Sequence, residues 1–198
     1  MFCILLGLVC ILASAGFLVY NKMESRSGEA FSQTLLQEVQ ENMEEATPSE
    51  EFFPEMVQQE MRTVPAGEYE SIGVLSIPVL ELELPVLTEW SYAKLKKAPC
   101  HYYGSCYEPD FVIAAHNYTA HFGRLSQLQA GDLVLFTDVT GQTHFYEVIL
   151  TETLSPTATG EMITSGFDLS LYTCTPGGGN RVTVRCSKVD NQEKERLI

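Results

Sequence analysis

The sequence is short of positive charge. Its 198 residues carry 12 Lys and Arg against 26 Asp and Glu, for a formal net charge of −14, and the basic residues do not gather anywhere along the chain. A protein that binds nucleic acid neutralises phosphates with clustered cations, so that class of partner is excluded. No internal repeat is present, and no stretch has the ordered Asp/Asn spacing of a calcium loop. The Gly-rich run Gly177-Gly178-Gly179 lies between two strand-like segments, not ahead of a helix, so it does not read as a phosphate cradle. Zinc lacks ligands as well. Cys100-His101-Tyr102-Tyr103-Gly104-Ser105-Cys106 offers His101 beside its two cysteines, and a tetrahedral site needs more at suitable spacing. In an oxidising compartment Cys100 and Cys106 could instead close a short disulfide loop. No metal and no cofactor is expected.

Charge of either sign is missing from residues 1–20, which are rich in Leu, Val, Ile, Phe and Ala. As a helix this run is long enough to cross roughly 30 Å of hydrocarbon and reads as a transmembrane anchor. Ala13-Ser14-Ala15 has the small-x-small form of a signal-peptidase site, so a cleaved signal peptide is the alternative. Lys22 and Arg26 follow the run, which by the positive-inside rule favours a cytoplasmic location for what comes next. The acidity is concentrated beyond: residues 38–70 hold ten Glu against Arg62 alone.

Three regions follow: an anchor over 1–20, an acidic and partly helical stalk over 21–70, and a single folded domain over 71–198. Phe31, Leu35, Leu36, Val39 and Met43 recur at helical spacing, predicting an amphipathic helix over 31–46 that serves as a solvated spacer. Pro48, Pro54, Pro65 and Gly67 among many Glu mark residues 47–70 as linker. From residue 72 onward the texture is short β-type runs broken by turn residues. Strands are expected over 73–87, 111–115, 133–137, 143–151, 168–174 and 181–188, with short helical pieces near 90–97 and 122–128. The pattern is mainly β and hairpin-connected, as in a closed or nearly closed antiparallel-rich barrel.

Side chains alternate along a strand, so Ser170, Tyr172 and Cys174 share one face, and Arg181, Thr183 and Arg185 share one face of the next strand. A hairpin closing over residues 175–180 makes Cys174 and Arg181 cross-strand neighbours. A permanently charged guanidinium beside a thiol favours the thiolate and then an oxyanion. Arg185, two residues farther along, is the rival for that role. His116 ends the apolar strand over 111–115 and opens the polar Asn117-Tyr118-Thr119, placing a general acid or base at a strand-to-loop edge. His121, within the loop, reads as a surface residue. Thr173 and Ser170 are candidates for shaping a substrate groove.

Ser170-Leu171-Tyr172-Thr173-Cys174 resembles the sortase signature Thr-Leu-x-Thr-Cys, with Ser in place of the first Thr. Asn180-Arg181-Val182-Thr183-Val184-Arg185 is similar to the strand that carries the family's Arg. Ala115-His116-Asn117-Tyr118 with His121-Phe122-Gly123-Arg124-Leu125 resembles its His loop, though Ala precedes His where Gly is common. The resemblance covers about residues 72–189 and implies a sortase-like eight-stranded β-barrel with a few short helices, anchored by its N-terminus on the extracellular face of a Gram-positive cell membrane. It also implies a thioester mechanism. Cys174 attacks the Thr carbonyl of a Leu-Pro-x-Thr-Gly-like sorting signal on a surface protein, Arg181 donates to the oxyanion, and His116 protonates the departing amine. An amine acceptor, from a lipid-linked cell-wall precursor or a pilin Lys, then resolves the intermediate. Two other readings stand beside this one: a cysteine hydrolase of cell-wall peptides, and a non-catalytic barrel that binds a surface partner.

Overall fold

The computed structural model describes residues 2–45 and 60–189. Most of the expected linker and the last nine residues lie outside the described residues. Nine strands alternate with three short or long helices: α1 (Phe2–Glu45), β1 (Val64–Ala66), β2 (Tyr69–Ile77), β3 (Leu82–Leu87), α2 (Tyr92–Leu95), β4 (Cys100–Tyr103), β5 (Phe111–Ala114), β6 (Leu133–Asp138), β7 (Thr143–Leu154), α3 (Thr159–Ile163), β8 (Leu169–Cys174) and β9 (Arg181–Lys188). The sheet runs β1-β2-β3-β4-β5-β8-β9-β7-β6, and β6 pairs back onto β2. This closes an eight-stranded mixed barrel of β2 to β9, with β1 added outside the closure. Pairing is antiparallel except at β3–β4 and β5–β8.

Alternation explains the barrel wall. Along β6 the burial pattern switches at every residue, with Val134 and Phe136 turned inward. They meet Leu75, Ile77, Phe111, Ile113, Tyr146, Leu171 and Val184 in the central core. The closing seam depends on Gly73, whose φ of +147° and proximity to β6 leave no room for a side chain: a Cβ there would lie 2.2 Å from the Thr137 carbonyl oxygen. Ser71 fills the bulge beside it, its hydroxyl donating to Val86 O at 2.9 Å. Pro85 sits inside β3, where pairing with β4 is confined to Leu87 and Cys100, so its missing N–H is tolerated as at a strand edge.

The N-terminal segment differs from the expected solvated spacer. One helix runs unbroken from Phe2 to Glu45. Its first half is exposed and apolar, a candidate membrane span, and its second half packs on the barrel. Leu35, Leu36 and Val39 are buried against Val64, Ala66, Val74, Leu87, Cys100 and Val139 on the outside of the sheet. The apolar stripe found its partner in β1 and the outer faces of β2 and β3. Within the expected linker, residues 64–66 are a strand, paired Val64 to Ser71 and Ala66 to Tyr69.

Candidate active site

The site is set by strand register. The β8–β9 ladder pairs Ser170 with Arg185, Tyr172 with Thr183 and Cys174 with Arg181. The connection between them is tight: Thr175 N donates to Asn180 O at 2.9 Å, Gly178 N to Thr175 O at 2.8 Å, and Asn180 N to the Thr175 hydroxyl at 3.0 Å. Gly177 and Gly178 have φ of +84° and +77°, which only glycine adopts without strain. That turn therefore puts Cys174 and Arg181 side by side at the barrel mouth. The Arg181 guanidinium rests on its own turn, donating from one terminal nitrogen to Gly178 O and Asn180 O at 3.2 Å each.

His116 arrives by the parallel pairing of β5 with β8, which matches Val112 to Ser170 and Ala114 to Tyr172. Extended two residues past the ladder, that register would set His116 opposite Cys174. Ala115 N donates to Tyr172 O at 3.2 Å, and the Thr173 hydroxyl donates to Ala115 O at 2.9 Å, so this register holds to the end of the strand. His116 Nδ1 is 2.8 Å from Asn117 Oδ1. Nδ1–H donates there, and Nε2 is left as the basic atom. Burial lowers the pKa of the imidazole, partly offset by that hydrogen bond, so burial favours the neutral ring.

Arg185 has other work. It is 2% exposed and fully engaged: Nε donates to Glu152 Oε1 at 2.7 Å, one terminal nitrogen to the Ser170 hydroxyl at 2.8 Å, and the other to Glu161 O at 2.8 Å. These contacts fasten β8 and β9 to α3 and β7. Ser170 and Thr173, expected to shape a groove, are both buried with their hydroxyls taken, by Arg185 and Ala115 O respectively. In these contacts they hold strands together. His121 is likewise no surface residue. It is fully buried, and neither ring nitrogen has a hydrogen bond of good geometry among the described residues; burial, with His116 nearby, pushes its pKa down to about 4, against a raising contribution from the Gly28 backbone.

Several side chains around the site carried weaker signals in the sequence. Asn117 and Tyr118 lie within the His motif, and the Tyr118 ring stacks on His116 with centroids 4.1 Å apart and planes 10° from parallel. Tyr172, between Ser170 and Cys174 on the outer face, meets Tyr102 edge-on at 5.3 Å, and Tyr102 meets Trp90 at 5.6 Å. An aromatic row thus leads away from Cys174 toward the exposed Trp90 and Tyr92. The thiols are also sorted by position. Cys100, Cys106 and Cys186 are buried and Cys174 is partly exposed; burial pushes the Cys100 and Cys106 thiols up to about 12 and raises Cys186 too. Cys100 and Cys106 are free thiols and belong to different apolar clusters, one outside the barrel and one within it, so the loop disulfide is not formed.

Among the described residues, Cys106, Asp138 and His144 are a buried group of possible metal ligands, with donor atoms within 4.8 Å of one another. Asp138 is already committed. One oxygen accepts from Thr140 N, the Thr140 hydroxyl and Gln142 N, and the other from the Tyr107 hydroxyl and His144 Nε2. Burial disfavours this carboxylate, but those hydrogen bonds outweigh it and lower its pKa to about 2.

Cys174 and Arg181 are thus paired across a hairpin of a closed eight-stranded barrel, and His116 follows the adjoining strand β5. Residues 75–189 match the sortase domain family, and the chain belongs to the sortase family of cysteine transpeptidases. Solved structures agree. Sortase C1 from Streptococcus agalactiae is 27% identical, with a TM-score of 0.55 over 61% of this chain and 68% of that one. Sortase C1 from Streptococcus suis is 28% identical, with a TM-score of 0.54 over 63% and 76%. A sortase D5 transpeptidase from Clostridium perfringens shares the fold at 20% identity, with a TM-score of 0.62 over 81% and 99%. No curated protein matches the chain.

Proposed function

We propose that this chain is a membrane-anchored transpeptidase that cuts a Leu-Pro-x-Thr-Gly-like sorting signal and passes the surface protein to an amine acceptor. Residues 1–20 serve as the anchor and residues 71–198 as the catalytic domain on the extracellular face. The observation that supports the reading is the β8–β9 register that pairs Cys174 with Arg181, beside a β5–β8 ladder that ends two residues before His116.

The Cys174 proton passes to His116 Nε2 as the sulfur attacks the Thr carbonyl. Arg181 swings from its turn carbonyls to donate to the oxyanion, a contribution worth roughly 10²–10³ in rate at comparable sites. Collapse breaks the Thr–Gly bond, and the His116 proton goes to the leaving amine, giving a thioester. The acceptor amine then gives a proton to His116 as it attacks, and the thiol is regenerated when that proton returns to sulfur.

The test is incubation of the full-length chain in detergent with a sorting-peptide library, with and without triglycine, followed by mass spectrometry. A thioester on Cys174 and an amide product with triglycine are expected, and both vanish in Cys174→Ala. A thioester that persists in that variant removes Cys174 as nucleophile. Only free acid in the presence of triglycine marks a hydrolase.

A further inference from the structure

The wall behind His116 comes from the far end of the chain. His116 stacks on Tyr118, and Tyr118 is itself almost fully buried. Its far side meets His121 at 5.6 Å and the backbone of α1 at Gly28. A Cβ at position 28 would lie 3.1 and 3.2 Å from Tyr118 Cδ2 and Cε2, and 2.8 Å from the Lys96 carbonyl oxygen. Glycine inside a helix costs about 1 kcal/mol relative to alanine; here it lets the helix approach both the His loop and the segment after α2. One turn earlier, Glu24 pairs with Lys96 at 2.5 Å. Leu35, Leu36 and Val39 fix the same helix farther along.

We infer that the N-terminal helix is a structural part of the active site: through Gly28 it seats Tyr118, and Tyr118 is the positioning residue that holds the His116 ring in place. This rests on the acid/base reading of His116 for its catalytic consequence, but the seating is a matter of contacts alone. The hydroxyl of Tyr118 makes no hydrogen bond of good geometry among the described residues, although burial and the nearby Glu24 raise its pKa; the part of Tyr118 in contact with His116 is the stacked ring. The charged groups that act on His116 are Lys96 and Glu24, the same pair that ties helix to barrel.

The contrast that tests this lies on one helix. Gly16 has nothing within 4 Å of a Cβ position, whereas Gly28 is hemmed in. Full-length chains labelled with ¹⁵N-histidine would be prepared in detergent micelles as wild type, Gly28→Val, Gly16→Val, Tyr118→Ala and Tyr118→Phe. The His116 ring resonance and its titration are followed by NMR, and circular dichroism confirms folding. Gly28→Val and Tyr118→Ala should shift the His116 resonance and move its titration toward the ordinary 6.5, while Gly16→Val leaves both unchanged. Tyr118→Phe, which keeps the stack, should retain most of the wild-type signature. With a sorting peptide, Gly28→Val and Tyr118→Ala should lower kcat about tenfold to a hundredfold with little change in KM, as expected for a displaced proton-transfer group. A folded Gly28→Val protein with an unaltered His116 signal overturns the inference, as does a Tyr118→Phe signal no better than that of Tyr118→Ala. The NMR arm needs no turnover. A His116→Ala protein that still acylates would therefore defeat the acid/base reading without touching the seating.

Discussion

Replacing each of the two arginines of β9 by methionine separates catalysis from architecture. Arg185→Met deletes three hydrogen bonds at 2.7–2.8 Å from a side chain that is 2% exposed. The Glu152 side chain is 37% exposed, so its share is discounted for solvent screening. The bonds to Ser170 and Glu161 O are lost, and the Ser170 hydroxyl is left buried beside a thioether. Together these cost about 3 kcal/mol, which for a protein of this size lowers Tm by about 6–12 °C. Arg181→Met removes a half-buried guanidinium whose hydrogen bonds, among the described residues, go to its own turn. It should leave Tm within about 2 °C of wild type and lower the acylation rate by about 10²–10³. Calorimetry of the full chain in detergent, paired with single-turnover acylation measured per folded molecule, reads both quantities. The reverse pattern, a stable but inactive Arg185→Met and an active Arg181→Met, would refute the assignment and make Arg185 the oxyanion donor.

Other substitutions test the frame around the site. Gly73→Ala should cost about 3 kcal/mol or more, seen as a lowered denaturation midpoint, because its Cβ meets the Thr137 carbonyl at the barrel seam; an unchanged midpoint would mean the seam yields freely. Thr173→Val removes the bond to Ala115 O and should cost about 1 kcal/mol, with equal stability of the two proteins as the contrary result. His121 titrates near 6.5 when unfolded and about 4 when folded. The folded state therefore binds its proton less readily, and the stability it preserves is complete above pH 6.5 and lost as pH falls toward 4. That gap is worth on the order of 3 kcal/mol. Wild type should lose about that much stability relative to His121→Leu as pH falls through this window, and parallel curves would exclude His121 as the source.

The barrel was legible because its strands are short, alternate cleanly and end at turn residues; the three proposed catalytic residues all fall at strand ends, where a one-dimensional reading is strongest. What the sequence concealed were relations between distant segments. The stripe Leu35, Leu36 and Val39 read as a solvated spacer because its partner, β1 with the outer face of β2 and β3, cannot be inferred from the helix itself. Ser170 and Thr173 looked free because their partners, Arg185 and Ala115 O, lie across strand pairings. His121 follows polar residues and so reads as exposed, although the chain turns inward there and continues with the buried Phe122. Arg185 and Arg181 share a face and a residue type, and only the acceptors around each distinguish them.

The aromatic row beside Cys174 has a practical consequence. Trp90 is the chain's single tryptophan, and it lies 5.6 Å from Tyr102, which touches Tyr172 at 5.3 Å. Light absorbed by those tyrosines is emitted from one known position at the rim of the site. Any molecule that settles along the row changes the polarity and quenching around that indole. The protein therefore carries its own optical probe of occupancy, readable in an unlabelled sample and on the timescale of a stopped-flow mixing experiment.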